Sequence, residues 1–152
     1  MSYLLDTCIV SKLRKMKTEQ NNVLRLWLSS HSEINYYLSV LTIGEIQTGI
    51  SKLNVQDKDE NRKKMIFEEW LSCELIPRFK NRILSFDSHT ASIWGTMKGQ
   101  ALKQGINLPV IDSLIAATAL QHDLVLVTEN VKDFKYTSVH LINPLDAERA
   151  LI

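Results

Sequence analysis

The sequence has few of the residues that would identify a cross-linked or low-complexity protein: two cysteines, three prolines and five glycines among 152 residues. Two cysteines provide neither the framework of a disulfide-rich secreted domain nor the ligand spacing of a structural zinc site, so both classes are excluded. We expect Cys8 and Cys73 to be small core residues in a reducing compartment. No linker, repeat or low-complexity segment interrupts the chain, which favours a single domain over residues 1–152.

Long hydrophobic runs and an excess of one charge are also missing. No segment approaches the roughly 20 apolar residues that are needed to span a bilayer, and the first residues do not resemble a signal peptide. Lysine and arginine total 18 against 17 acidic residues, so no global field attracts nucleic acid. We expect a soluble, cytoplasmic protein without a membrane partner, in which any contact with nucleic acid is local.

Short apolar runs rich in branched and aromatic residues alternate with longer stretches of helical periodicity. Because the runs are too uniformly apolar to be half-exposed, they are typical of strands that are buried on both faces. The sequence therefore predicts an α/β fold with a mostly parallel central sheet of about five strands and helices on both faces. The candidate strands are YLL before Asp6, YYLSV at 36–40, RILSF at 82–86, LVLVT at 124–128 and VHLI at 139–142.

Four stretches between these runs have the apolar spacing of helices. In the third, Ser88 is a candidate N-cap and Gly105 a candidate residue just beyond the helix end. The fourth begins near Pro109 and is apolar on most faces, which predicts a buried helix. The predicted helices cover residues 42–53, 57–76, 88–105 and 109–123.

Acidic and amide residues stand where several predicted strands end. Asp6 follows the first strand, Asp87 follows the third, and Glu129 with Asn130 follows the fourth. Open α/β sheets bind ligands at this carboxyl edge. An aspartate between a strand and a helix is also a common N-cap, so each of Asp6 and Asp87 taken alone is explained as a cap.

Two further carboxylates are harder to explain by local structure. Glu45 lies beside the apolar stripe of a predicted helix, and Asp112 lies in VIDSLIAATAL, which contains no basic residue. Burying a carboxylate without a partner is costly. A helix N-terminus compensates Asp112 in part, and a divalent cation such as Mg²⁺ or Mn²⁺ would compensate it better.

An ordered set of motifs extends from about residue 3 to residue 144. The set comprises YLLDTCIVSKL, SVLTIGEIQTGISKL, ILSFD, DSLIAATALQHDLVLVT, and TENVKDF followed by LINP. No single motif is specific, but in this order they resemble PIN-domain ribonucleases, and most closely the VapC and FitB type toxins of bacterial toxin–antitoxin pairs. The resemblance implies one PIN domain and makes Asp6, Glu45 and Asp112 the catalytic, metal-binding residues.

The resemblance also identifies a departure in this sequence. Many members of the family have a further acidic residue in a Thr-Arg-Asp or Thr-Arg-Asn segment, which here reads Thr128-Glu129-Asn130. The second metal position is therefore open, and either Asn130 or Asp133 is expected to complete it. Thr7 and Thr128 are supporting candidates at the same site.

The chemistry that the resemblance implies is hydrolysis of RNA phosphodiesters with Mg²⁺, for which Mn²⁺ is a possible substitute. The implied partners are RNA, a VapB-like antitoxin whose C-terminal segment covers the acidic site, and a second copy in a homodimer. Substrate phosphates need cations, and a basic run after the first strand is a candidate for that role. An ordinary solvated helix face explains this run equally well. The run comprises Lys12, Arg14, Lys15 and Lys17.

Two other functions remain open. One is a different α/β phosphohydrolase with Asp6 as nucleophile, which would have a second aspartate near Asp6; the segment DTC lacks that residue. The other is a weakly active or non-catalytic PIN scaffold that binds nucleic acid or an antitoxin. Such a scaffold would have lost one of Asp6, Glu45 and Asp112, and all three are present.

Overall fold

The computed structural model of the protein describes residues 1–17 and 23–146. In these residues, five parallel strands form one sheet in the order β3-β2-β1-β4-β5. The predicted parallel sheet is confirmed: β1 has the same bounds as its apolar run, and the other four strands are shorter than theirs. The strands are β1 (Tyr3–Leu5), β2 (Tyr36–Ser39), β3 (Ile83–Leu84), β4 (Val125–Val127) and β5 (Leu141–Ile142).

Helices connect the strands, and the four predicted helices are present. The α-helices are α1 (Thr7–Leu13), α2 (Val23–Ser29), α3 (Val40–Ser51), α4 (Lys58–Glu69), α5 (Ile76–Arg78), α6 (Ser88–Lys103) and α7 (Val110–Gln121). A π-helical segment, Trp70–Leu75, joins α4 to α5, and short 3₁₀ turns cover Lys15–Lys17, Glu33–Asn35 and Val131–Phe134. None of the described helices has the length and apolar character that crossing a bilayer requires.

The sheet is covered on both faces, as its apolar strands predict. In β1, Tyr3 and Leu5 belong to one hydrophobic cluster, while Leu4 between them belongs to the other. In β4, Leu126 likewise packs on the second face and Val127 on the first. This alternation is the period of two of a strand, and it makes β1 and β4 the buried centre of the molecule.

At the start of α6 the N-cap predicted at Ser88 is wrong, because Ser88 is already the first residue of the helix, whereas the cap expected at Asp87 is confirmed. Asp87 is the N-cap, since its Oδ1 accepts a hydrogen bond from the Thr90 backbone N–H at 3.0 Å, and the two residues form a capping box. Hydrogen bonds from Thr90 hold the pKa of Asp87 below its ordinary value. At the other end, Gly105 has a φ of +72°, the left-handed conformation that commonly follows a helix.

The expectation that both cysteines are core residues is wrong for Cys73. This side chain is exposed on the π-helical segment, whereas its neighbours Trp70, Leu71 and Leu75 are buried. Its polar neighbours Ser72 and Glu74 are exposed as well, so Cys73 lies on the solvent side of this segment.

Candidate active site

Asp6 is both a helix cap and a buried carboxylate. It follows β1 directly, is the N-cap of α1, and is only 3% exposed. Its Oδ1 accepts a hydrogen bond from the Thr7 backbone N–H at 2.8 Å. Its Oδ2 accepts one from the Thr128 hydroxyl at 2.7 Å and one from Cys8 Sγ at 3.4 Å. The cap explanation and the site explanation of Asp6 are therefore compatible.

Glu45 is joined to this carboxylate through Thr7. The Thr7 hydroxyl donates to Glu45 Oε1 at 2.6 Å and lies 3.0 Å from Thr42 Oγ1. The adjacency of β1 and β2 explains the contact, because α1 and α3 start at the same edge of the sheet. Thr42 was not predicted, but it lies three residues before Glu45 on α3, a spacing that places both on one helix face.

Asp112 lies in the first turn of α7 among other carboxylates. The pKa of Asp112 is raised to about 6, first by burial and then by the negative charges of Asp6, Asp133 and Glu45. Among the described residues, no cation contributes to this shift. The structure thus brings the three predicted catalytic residues, together with Asp133, into one electrostatically coupled group that has an excess of negative charge.

Thr128 is fully buried and links the end of β4 to the end of β1. Its hydroxyl donates to Asp6 Oδ2 and accepts the Asn130 backbone N–H at 3.0 Å. The segment after β4 is thereby fixed against the start of α1. The side chains of Asn130 and Asp133 are both exposed, so which of them completes the site remains a prediction.

The residues of the predicted basic run have different surroundings in the structure. Lys12 forms an ion pair with Glu129 Oε1. The Arg14 guanidinium instead stacks on Phe67, with Cζ 4.5 Å from the ring centroid, and its Nε is buried without a hydrogen-bond partner among the described residues. Lys15 is exposed, and the side chain of Lys17 lies outside what the structure describes.

The carboxylate oxygens of Asp6, Glu45 and Asp112 are of the type that a hard divalent cation prefers, although the protein does not supply a complete set of ligands. Within residues 1–17 and 23–146, no three His, Cys, Asp or Glu side chains lie close enough together to hold a metal by themselves. Asp6 and Glu45 are instead engaged by hydroxyl, thiol and backbone donors. Mg²⁺ is commonly bound by one or two carboxylates, with waters and substrate phosphates as its other ligands. The carboxylates around Asp112 satisfy that requirement.

Cys8 is part of this network and is a poor nucleophile. Burial and the adjacent charge of Asp6 raise the pKa of the Cys8 thiol. We expect the exposed Cys73 to react with Ellman's reagent near pH 8 much faster than Cys8, because the thiolate is the reactive form. A Cys73→Ser variant should lack the fast phase and keep the slow one. Equal rates for both thiols would contradict the burial of Cys8.

Similarities to known proteins extend over nearly the whole chain. The model of the PIN domain family matches residues 3–139. The chain is 32% identical to toxin FitB of Neisseria gonorrhoeae, over 93% of this chain and 96% of that protein. It is 27% identical to VapC ribonuclease Y4jK of Sinorhizobium fredii, with the same coverage of 93% and 96%.

Solved structures show the same similarity. The crystal structure of FitAcB from Neisseria gonorrhoeae superposes with a TM-score of 0.80 at 31% identity, over 94% of this chain and 98% of that one. The structure of VapBC2 from Rickettsia felis, bound to a DNA fragment from its promoter, has a TM-score of 0.64 at 26% identity, over the same shares of 94% and 98%.

Proposed function

The chain belongs to the PIN domain family, and from this premise we propose that it is a metal-dependent endoribonuclease and the toxin of a toxin–antitoxin pair. Its relatives are named as a toxin and as VapC ribonucleases, and they match nearly the whole chain. The observation that carries the proposal is the coupling of Asp112 to Asp6, Glu45 and Asp133. Family membership sets aside the alternative of a phosphohydrolase with Asp6 as nucleophile.

Asp6, Glu45 and Asp112 are the residues that would hold Mg²⁺, or Mn²⁺ in its place, and Asn130 or Asp133 would complete the set. When bound, the ion lowers the pKa of a water that attacks phosphorus and neutralises charge on the leaving oxygen. The protein orients its carboxylates for this purpose. A backbone N–H and a hydroxyl hold the two oxygens of Asp6, and the Thr7 hydroxyl holds Oε1 of Glu45.

These hydrogen bonds matter because a carboxylate oxygen accepts more than one partner. An oxygen that is held on one side by a fixed donor keeps a lone pair that points in a defined direction. A carboxylate ligates a cation only in its ionised form, and because burial and the negative charges around Asp112 raise its pKa to about 6, metal binding should weaken as the pH falls below that value. Thr7 and Thr128 therefore support the site without themselves being proposed as metal ligands.

The experiment that tests this function is RNA cleavage by the purified protein. We expect cleavage of RNA with Mg²⁺ or Mn²⁺ and none with EDTA, and we expect Asp6→Asn to remove the activity. Asp87→Asn is the matched control, because Asp87 is a cap outside the site and asparagine caps helices as well as aspartate does. Cleavage that persists in EDTA or in Asp6→Asn would contradict the proposal.

We also propose that the protein binds a small VapB-like antitoxin and forms a homodimer. The support is that its structural relatives include complexes described as FitAB and VapBC. Apolar side chains that remain exposed at the starts of α3 and α7 offer area for such contacts: Val40, Val110 and Ile111 are each more than one third exposed. Light scattering of the isolated protein measures the dimer directly.

A further inference from the structure

The ion pair between Lys12 and Glu129 lies across the edge of the sheet that carries the carboxylates. Lys12 is in the last turn of α1, and Glu129 follows β4, 117 residues further along the chain. Both are close to Asp6. Cys8, four residues before Lys12 on the same helix, donates to Asp6 Oδ2, and its Sγ also receives a hydrogen bond from the backbone of Glu129. The pair thus borders the buried carboxylate.

The pair is exposed enough to open. The Lys12 side chain is 46% exposed and that of Glu129 is 21% exposed, so water reaches both charges. Ion pairs of this kind contribute little to stability and are screened by salt. A phosphate that enters the site can replace Glu129 as the ion-pair partner of Lys12. The Glu129 carboxylate then has no cation and repels the negatively charged RNA.

Lys12 is, moreover, a member of the predicted basic run that the structure places near the buried Asp6, through Glu129 and Cys8. Arg14 is instead stacked on the Phe67 ring of α4. The charge of Lys12 is therefore the local contribution that an RNA phosphate would use, and in the free protein Glu129 cancels it.

We propose that Glu129 limits the RNA affinity of this site by holding Lys12, so that each RNA molecule has to displace the carboxylate to gain the cation. The inference rests on the proposed ribonuclease function and adds an affinity-determining residue to it. We do not assign Glu129 a contact with the reacting atoms of the RNA. It acts through Lys12, so the effect of substituting Glu129 on RNA affinity should depend on whether Lys12 is present.

The test is a double-mutant cycle on RNA binding without metal. Fluorescence anisotropy with a labelled single-stranded RNA in EDTA is measured for wild type, Glu129→Gln, Lys12→Gln and the double variant, from low to moderate salt. We expect Glu129→Gln to bind about 5–10-fold more tightly than wild type at low salt, since a free lysine adds one phosphate contact. The slope of log K against log salt should steepen by about 0.7, the value for one contact with a single strand.

When Lys12 is already replaced by Gln, the Glu129→Gln substitution should increase RNA affinity by a factor that is at least about three-fold smaller than in the presence of Lys12. It should also leave the salt slope unchanged. Glu33→Gln is the matched control. It makes the same charge change and breaks an ion pair with Arg78 away from the carboxylates, so it should alter neither affinity nor slope. Circular dichroism establishes that all variants are folded.

Two outcomes overturn the inference. An equal gain in both Lys12 backgrounds would mean that Glu129 acts by repulsion alone, and no gain would mean that it does not limit binding. RNA cleavage with Mg²⁺ is measured in parallel. If wild type cleaves RNA while Glu129→Gln binds as wild type does, the inference alone is wrong; if wild type neither binds nor cleaves RNA, the proposed function is wrong as well.

Discussion

Asp112→Asn is expected to reduce metal-dependent RNA cleavage strongly and, at the same time, to stabilise the metal-free protein. Loss of a ligand that organises transition-state charge reduces cleavage by about 100–1,000-fold. The stability effect has the opposite sign, because Asp112 is repelled by Asp6, Asp133 and Glu45 and is partly desolvated. The two effects are measured by initial cleavage rates and by thermal unfolding in EDTA.

The size of the stability gain follows from the pKa of Asp112. A rise from 3.8 to about 6 corresponds to about 3 kcal/mol at most. The group is half-exposed, so solvent screening reduces this to about 1 kcal/mol, or about 2–4 °C in the unfolding midpoint. Added Mg²⁺ or Mn²⁺ should raise the midpoint of wild type and have a smaller effect on the variant, because a ligand stabilises only the form that binds it.

The sign of the pH dependence is fixed by the same shift. In the folded protein the pKa of Asp112 is above the unfolded value, so between about pH 4 and pH 6 the folded state holds more protons and loses stability as the pH rises. The stability difference between variant and wild type should thus be near zero at pH 4 and reach its full value by about pH 7.

Asp123→Asn is the control for this experiment. Asp123 is exposed beyond the end of α7 and has a φ of 52°, a conformation that asparagine also adopts readily. The change removes one negative charge without touching the carboxylate group. Neither cleavage nor the response to metal should change. An Asp112→Asn protein that cleaves RNA as wild type does, or that is less stable in EDTA at pH 7, would contradict the site.

The sheet could be predicted from the sequence because strands that are buried on both faces consist of continuous apolar residues. Leu4 and Leu126 face one side, while their neighbours in β1 and β4 face the other, so every position has to be apolar. The end of α6 was equally predictable, since a left-handed residue after a helix is most often glycine, here Gly105.

Helix α2 was not predicted, because tertiary contacts form it. Its seven residues are too few for helical periodicity to be evident. What fixes it is an aromatic cluster, in which Trp27 lies edge-on to Tyr3 at 5.2 Å and next to His31 and Tyr36. These partners come from β1, β2 and the connection between them, so no local pattern contains the information.

The π-helical segment has a similar explanation. Pro77 cannot donate a backbone hydrogen bond, and the preceding turn widens so that the Ile76 N–H reaches the Leu71 carbonyl, five residues back. The sequence predicted one continuous helix over residues 57–76. The proline near its end was the available signal for this irregularity.

At the site, the sequence draws attention to individual acidic residues but not to the contacts between them and their neighbours. The strand ends and apolar surroundings of Asp6, Glu45 and Asp112 are local features. The Lys12–Glu129 pair joins residues that are 117 positions apart, and the sequence gives no local signal for it. Cys8 was expected to be a small core residue, yet its thiol is a donor to Asp6.

Thr128→Val is expected to lower RNA cleavage by about 10–100-fold, although Thr128 is not a proposed ligand of the metal. Valine keeps the shape of threonine but removes the hydroxyl that donates to Asp6 Oδ2 and accepts the Asn130 N–H. Residues that orient metal ligands have effects of this size. Because Asp6 loses its orientation rather than its charge, a higher Mg²⁺ concentration should be needed for half-maximal activity.

The same substitution should lower the free energy of unfolding by about 1–3 kcal/mol, because it leaves a buried acceptor and a backbone donor without their partner. Two matched variants separate stability from function. Thr128→Ser keeps the hydroxyl and should recover most of the activity. Thr118→Val removes an equally buried hydroxyl, which donates to the Leu114 carbonyl within α7, and it should cost stability without changing the Mg²⁺ requirement. If Thr118→Val and Thr128→Val shifted the Mg²⁺ requirement equally, Thr128 would have only a structural role, and the hydrogen bond between β4 and Asp6 would not orient the metal site.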